Sequence, residues 1–181
     1  MKSFSKFLSL GLVSLLGLVQ SLDMADYSEG PGIDAGFREY LSELYRMTED
    51  PATTTEFTNF FTPDGVLIVR KVVATGSDEI IALKHKLLPT AGNKHWNHRP
   101  NVTTVESETD KHKVFHSLGV IEASYDGGSC SQAYYSTRFT INKGADGVLS
   151  MKPHSGNLAI YDDYVVEPAV SPTNIPCGTR G

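Results

Sequence analysis

Glu56-Phe57-Thr58-Asn59-Phe60-Phe61-Thr62-Pro63-Asp64-Gly65-Val66-Leu67-Ile68-Val69 changes hydrophobic period halfway along. Before Pro63 the apolar residues Phe57, Phe60 and Phe61 recur at helical spacing, and from Val66 the chain is a continuous β-branched and apolar run. Proline cannot continue a helix, and Asp-Gly tolerates the backbone of a turn. The stretch therefore predicts a helix with a buried aromatic face that feeds directly into a buried strand. Asp64 reads as a turn residue rather than a catalyst, so this stretch decides the fold and leaves the function to whatever folds against it.

Working outward, Ile33, Phe37, Tyr40, Leu41, Leu44 and Met47 form the one-sided stripe of an amphipathic helix over residues 33–48, with Asp34 near its start as a cap. Asp50-Pro51 opens a second, short helix that carries the three phenylalanines. Residues 66–75 read as the first long strand, broken on one face by Arg70-Lys71. Ser77 then caps a third helix whose buried side is Ile80, Leu83, Leu87 and Leu88. The remainder reads as strand: residues 95–106, 113–125, 132–142 and 149–161, with a hairpin signal at Asp126-Gly127-Gly128 and an irregularity at Pro153 and Gly156. Three helices followed by an antiparallel meander predict an α+β domain. The expected form is a cone-shaped, strongly curved antiparallel sheet with the three N-terminal helices closing a pocket.

The ends carry a different message. Lys2 and Lys6 precede an apolar run over residues 7–19, and Val19-Gln20-Ser21 suits a signal peptidase. Residues 1–21 read as a secretory signal peptide; the alternative, a signal anchor, needs a longer apolar run of roughly 20 residues. Residues 22–32 read as a flexible lead-in, 33–164 as the domain, and 165–181 as a tail bearing Pro168, Pro172 and Pro176. The expected location is extracellular or in the secretory pathway, with no membrane contact after cleavage. Loss of the two leader lysines takes the net charge from −5 to −7, and an acidic chain without a basic stripe argues against nucleic acid as a partner. In an oxidising compartment Cys130 and Cys177 can pair and tie the tail to the domain, the alternative being two unrelated thiols. Asn101-Val102-Thr103 is a glycosylation sequon.

A helix, then Phe60-Phe61-Thr62-Pro63-Asp64-Gly65-Val66-Leu67, then Gly76-Ser77-Asp78-Glu79-Ile80 opening another helix, then a histidine-bearing strand with Asn101, resembles the nuclear-transport-factor-2-like superfamily. Within it the chain is most similar to SnoaL-like domains, relatives of polyketide cyclases and scytalone dehydratase. The resemblance spans roughly residues 33–164. It implies a pocket fold that hosts lyases, isomerases, cyclases and inert binders alike. It also implies that a histidine at about the place of His98 faces the pocket and that a first-helix carboxylate, here Asp34, can pair with it.

No serine-nucleophile elbow, zinc-protease helix motif, P-loop or dinucleotide fingerprint is present, so no metal and no cofactor are expected. His95 and His98 fall on opposite faces of a strand. His98 shares its face with Trp96, Pro100 and Val102 and is the preferred acid–base candidate, with His95 as the fallback after a one-residue slip. His116 alternates with Val114, Leu118 and Val120, a face that reads as buried; it is a second acid–base candidate or a core histidine. Tyr40 lies on the buried stripe of the first helix and could polarise a carbonyl, or simply pack. Phe57 and Phe61 would line or plug the pocket, and Trp96, Tyr134, Arg138 and Asn157 would contact a ligand. Arg138 does so only if the polar face of its strand, with Gln132, Tyr134 and Ser136, looks inward; the opposite face is the more apolar. Two functions compete: a lyase, cyclase or isomerase acting on a small, partly aromatic metabolite, and a non-catalytic secreted domain that binds a small hydrophobic ligand or another protein. A homodimer through the convex sheet face is a further expectation.

Overall fold

The structure, a computed structural model, describes residues 22–166. The chain runs β1 (Ser28–Glu29), α1 (Phe37–Glu49), α2 (Thr55–Thr58), β2 (Phe61–Val69), β3 (Val72–Thr75), α3 (Gly76–Leu87), β4 (Lys94–Glu108), β5 (His112–Tyr125), β6 (Cys130–Asn142) and β7 (Leu158–Val166). The expected signal peptide, the C-terminal tail and the pairing of Cys130 with Cys177 lie outside the described residues. Among the described residues no helix is long and apolar enough to cross a membrane.

α1 forms because its stripe finds a sheet to cover. Phe37, Tyr40, Leu41, Leu44, Tyr45 and Met47 are all buried. Phe37 stacks on Phe115 of β5 at 4.2 Å, and Tyr40 meets Phe60 edge-on at 5.2 Å. Each such ring removes roughly 150–250 Å² from water, which makes this aromatic layer the core of the domain. Asp34 does not cap the helix. The N-cap is Gly36 at φ 88, and Asp34 instead ion-pairs with the buried Lys113 Nζ at 2.6 Å. In the opening stretch the switch from helix to strand comes earlier than Pro63. α2 has four residues, Phe61 already opens β2, and Pro63-Asp64-Gly65 lies inside the strand as an irregularity where the register against β7 shifts. Only glycine fits at position 65, because an added Cβ would come 2.8 Å from the Phe61 Cβ.

The long strand expected over residues 66–75 folds back on itself. Arg70 and Lys71 both adopt positive φ, 49° and 70°, and make a two-residue hairpin turn that pairs Val69 with Val72. The seven strands lie in the order β1-β4-β5-β6-β7-β2-β3. β1 runs parallel to β4 and β2 parallel to β7, and the other neighbours are antiparallel. This overturns the expected cone. The sheet is mixed and open, with β1 and β3 as its two edges, and it is neither closed nor strongly curved. Alternation in the sequence assigns a residue to a face but does not say which strand lies beside which; here β2 returns to the last strand.

The strand expected over residues 149–161 is displaced. Pro153, His154 at φ 58 and Gly156 at φ 66 hold the preceding residues irregular, and β7 begins only at Leu158. On β5 the buried face carries Lys113, Phe115, Ser117 and Gly119, so His116 lies on the opposite face. That face, away from the helices, exposes Leu118 and Tyr164 on either side of Ser136.

Candidate functional site

A cavity of about 210 Å³ opens between the helices and the sheet. Its floor comes from adjacent strands. His98, Ile121 and Ala133 are side by side across β4, β5 and β6, and the row beside them is Trp96, Ala123 and Ser131. Leu67 pairs with Tyr161, and Val69 with Asp163, where β2 meets β7. Phe57, Thr48, Lys84 and Leu87 from the helical layer close the other side.

His98 is 5% exposed and is the most firmly positioned group in this wall. Its ring lies parallel to Tyr45 of α1 at 4.3 Å and 9°, and it meets Tyr135 edge-on at 5.9 Å. Glu49, the last residue of α1, places Oε1 3.0 Å from His98 Nδ1 and also accepts the backbone N–H of His98. A carboxylate can only accept, so Nδ1 carries a proton, and Nε2 is the ring nitrogen left to give or take one. Among the described residues no group hydrogen-bonds Nε2, and His98 lines the cavity.

Two further titratable groups share the cavity with a buried lysine. Burial pushes the Asp163 carboxyl above its ordinary value, while the Thr137 hydroxyl that donates to it and the nearby His98 pull the other way. Burial likewise holds the Tyr161 hydroxyl well above an ordinary phenol, so it stays an O–H donor. Lys84, 2% exposed, donates from Nζ to the carbonyls of Asp50 and Thr53 at 2.6 and 2.9 Å and to the Thr53 hydroxyl at 2.8 Å. Desolvation lowers its pKa to about 8 against the favourable charges of Asp50 and Glu56.

The candidate residues of the sequence scatter. His98, Trp96 and Phe57 line the cavity, and Phe61 packs behind Phe57 at 5.4 Å. Tyr40 donates to Asn157 Oδ1 at 3.3 Å, so these two satisfy each other away from the cavity. His116 meets the Ser136 hydroxyl at 2.7 Å and Arg138 pairs with Glu106 at 2.7 Å on the outer face, which also carries Tyr134. His95 pairs with Asp126 at the surface at 2.8 Å, and Asn101 is exposed on β4. Sequence pattern alone does not point to Glu49, Asp163, Tyr161, Lys84 or Arg70. Among the described residues no three His, Cys, Asp or Glu side chains converge as a metal site.

No protein-family model matches the chain, and no curated protein does. Solved structures do. ActVI-ORFA from Streptomyces coelicolor aligns over 72% of this chain and 97% of its own, with TM-score 0.55 and 15% identity. A protein from Catenulispora acidiphila solved in complex with S-DNPA aligns over 73% and 93%, with TM-score 0.52 and 17% identity. Nuclear transport factor 2 from Cryptosporidium parvum aligns over 77% and 98%, with TM-score 0.53 and 9% identity. The chain shares its fold with these proteins, nuclear transport factor 2 among them. At these identities the likeness fixes the fold and not the reaction.

Proposed function

We propose that this protein is an acid–base enzyme of the lyase, cyclase or isomerase kind, in which His98 moves a proton next to a carbonyl of a small, ring-bearing metabolite. The observation that carries the reading is the buried imidazole of His98, held by Glu49 at Nδ1 in the wall of a cavity of ring size. Nε2 takes the proton from the carbon acid, and the bonding pair moves onto the carbonyl oxygen as an enolate. The Tyr161 hydroxyl and the Asp163 carboxyl, both biased toward their neutral forms by burial, are the donors in the same cavity that can stabilise that oxygen. Return of the proton to a different atom, or departure of a β-leaving group, completes an isomerisation or an elimination. The crystallised relative with S-DNPA supports a small organic occupant for this type of fold.

A generic carbon acid is enough for the test. Exchange of the α-protons of 2-tetralone for deuterium is followed by NMR with wild-type protein and with His98→Asn. Exchange that depends on His98 is the expected result. Equal exchange in both proteins, or none, removes the catalytic reading and leaves a ligand-binding domain. We infer export from the leader-like residues 1–21. N-terminal sequencing of protein recovered from the medium checks this, and a mature chain that retains residue 1 contradicts it.

A further inference from the structure

His154 is held in a way that a neutral imidazole cannot sustain. Its Nδ1 lies 2.8 Å from the Glu56 carbonyl oxygen and its Nε2 3.2 Å from Glu43 Oε1. A carbonyl and a carboxylate only accept, so both ring nitrogens donate, and only the imidazolium carries both protons. We propose that His154 is a proton-operated latch: as an imidazolium it pins the segment before β7 to α1 and α2, and as a neutral ring it gives up one of these contacts and loosens that seam. The latch goes beyond the acid–base reading and does not depend on it.

Each partner is fixed as an acceptor. The Phe60 N–H goes to the Phe57 carbonyl at 3.3 Å, so the Glu56 carbonyl is one of the acceptors that the end of a helix leaves over. Glu43 also accepts from Arg46, Nε at 2.7 Å and Nη2 at 2.6 Å. Arg46 first, and His154 with it, hold the Glu43 carboxyl below its ordinary value against the effect of burial, so it is ionised. Among the described residues the other charged groups about the ring are the Glu56 carboxylate on α2, which also feels Lys84 of α3, and Lys152 on the ring's own segment. The two carboxylates favour a positive ring, and so does Phe60, whose ring centre lies 4.4 Å from that of His154.

The backbone supplies the strain that the latch holds. His154 has φ 58, in the left-handed region that a residue with a Cβ disfavours, and such a conformation persists only while its surroundings hold it. Beside it the segment lies on the helical layer through two bonds of 2.9 Å, from the Gly156 N–H to the Asn59 carbonyl and from the Leu158 N–H to the Phe60 carbonyl. The elements joined at this seam also line the cavity, α2 through Phe57 and β7 through Tyr161. Imidazole changes charge between about pH 5 and about pH 8, where other unperturbed side chains do not.

Nitrogen-15 NMR of the ring and hydrogen exchange of the Gly156 and Leu158 amides, measured on the full chain at about pH 5.5 and about pH 8, test the latch. Wild type is expected to show both ring nitrogens protonated at the lower pH and one at the higher. Over the same interval the two amides are expected to lose about three- to tenfold in protection, after allowance for the intrinsic rise of exchange with pH, while the β5–β6 ladder keeps its protection. His154→Asn suits the left-handed backbone and carries no charge, so it is expected to show the same protection at both pH values. A ring that stays doubly protonated at about pH 8, unchanged protection in wild type, or an equal loss in His154→Asn overturns the proposal. Wild type alone decides the first two, whether or not the variant folds. These readouts are independent of α-proton exchange at His98, so the latch and the enzymatic reading fail separately.

Discussion

One oxygen of Glu49 accepts from both the backbone N–H and the ring of His98, so a single carboxylate fixes the end of α1, the course of β4 and the tautomer of the imidazole. Glu49→Gln keeps the shape but offers an amide that can point either an oxygen or an NH₂ at Nδ1. The tautomer that leaves Nε2 unprotonated then loses its preference. His98-dependent exchange is expected to fall roughly 10²-fold or more, with a modest loss of stability of about 1 kcal/mol. Nitrogen-15 NMR of the ring gives a readout that packing alone would not change: wild type shows Nδ1 protonated, and the variant shows a mixture.

The helical layer is legible in the sequence where the pattern repeats. The stripe from Phe37 to Met47 and the period change before Val66 are properties of neighbouring residues, and burial against one sheet face rewards them directly. His98 and Trp96 are legible for the same reason, since alternation along β4 puts both on one face. Glu49 is not, because it is a charged residue at a helix end and its partner lies 49 residues further on. Asp163 is hidden by a displaced strand. With residues 149–161 read as β, Asp162 and Asp163 fall in a polar end, whereas the positive φ of His154 and Gly156 defers the strand and carries Asp163 inside. His116 shows the limit of counting apolar residues. Val114, Leu118 and Val120 look like the core face, but the real one contains Lys113, whose charge is met by Asp34 and Glu108.

Lys84 ties the loop between α1 and α2 to α3 through three acceptors. Lys84→Met keeps the length of the side chain but leaves two carbonyls without their donor, and it is expected to destabilise the protein by about 2–3 kcal/mol at pH 7 in urea unfolding. The pH dependence checks the cause. Because burial lowers the folded value to about 8, the unfolded chain holds the proton more tightly. Wild type therefore gains stability from this group as pH rises from about 8 toward the ordinary lysine range, and the variant does not. Parallel stability profiles for the two proteins above about pH 8 would show that Lys84 is not desolvated.

Asp163 behaves in the opposite sense to a salt-bridged carboxylate. Burial raises its folded value, so the native state prefers the proton, and that contribution is complete at pH values below the ordinary aspartate range. It is lost as pH climbs through the raised value. Asp163→Asn preserves an acceptor for the Thr137 hydroxyl and removes the charge. The variant is expected to match wild type near pH 3 and to be the more stable of the two at pH 7–8, measured by thermal unfolding across pH. A variant that is less stable than wild type at about pH 8 would contradict the assignment.

Gly119 is a packing requirement of the wall behind His98. A Cβ there would fall 2.3 Å from the Tyr135 hydroxyl and 2.5 Å from the Arg99 carbonyl, one on the neighbouring strand and one on β4. Tyr135 is also an edge contact of the His98 ring. Gly119→Ala is expected to cost about 1–3 kcal/mol through overpacking and to reduce His98-dependent exchange in step. Chemical denaturation together with the exchange assay checks both, and full activity in a destabilised variant would separate the packing from the site.

The hairpin turn at Arg70-Lys71 holds its two residues in a left-handed backbone that neither favours. A non-glycine residue in the left-handed region costs roughly 1–2 kcal/mol, and two occur in succession at φ 49 and φ 70. Arg70→Asn with Lys71→Gly gives the turn the residues its backbone favours, so the double variant is expected to gain about 1 kcal/mol or more in urea unfolding. Lys71→Gly alone relieves the second turn position and is expected to gain part of that stability. A double variant no more stable than wild type would show that this turn holds no such strain.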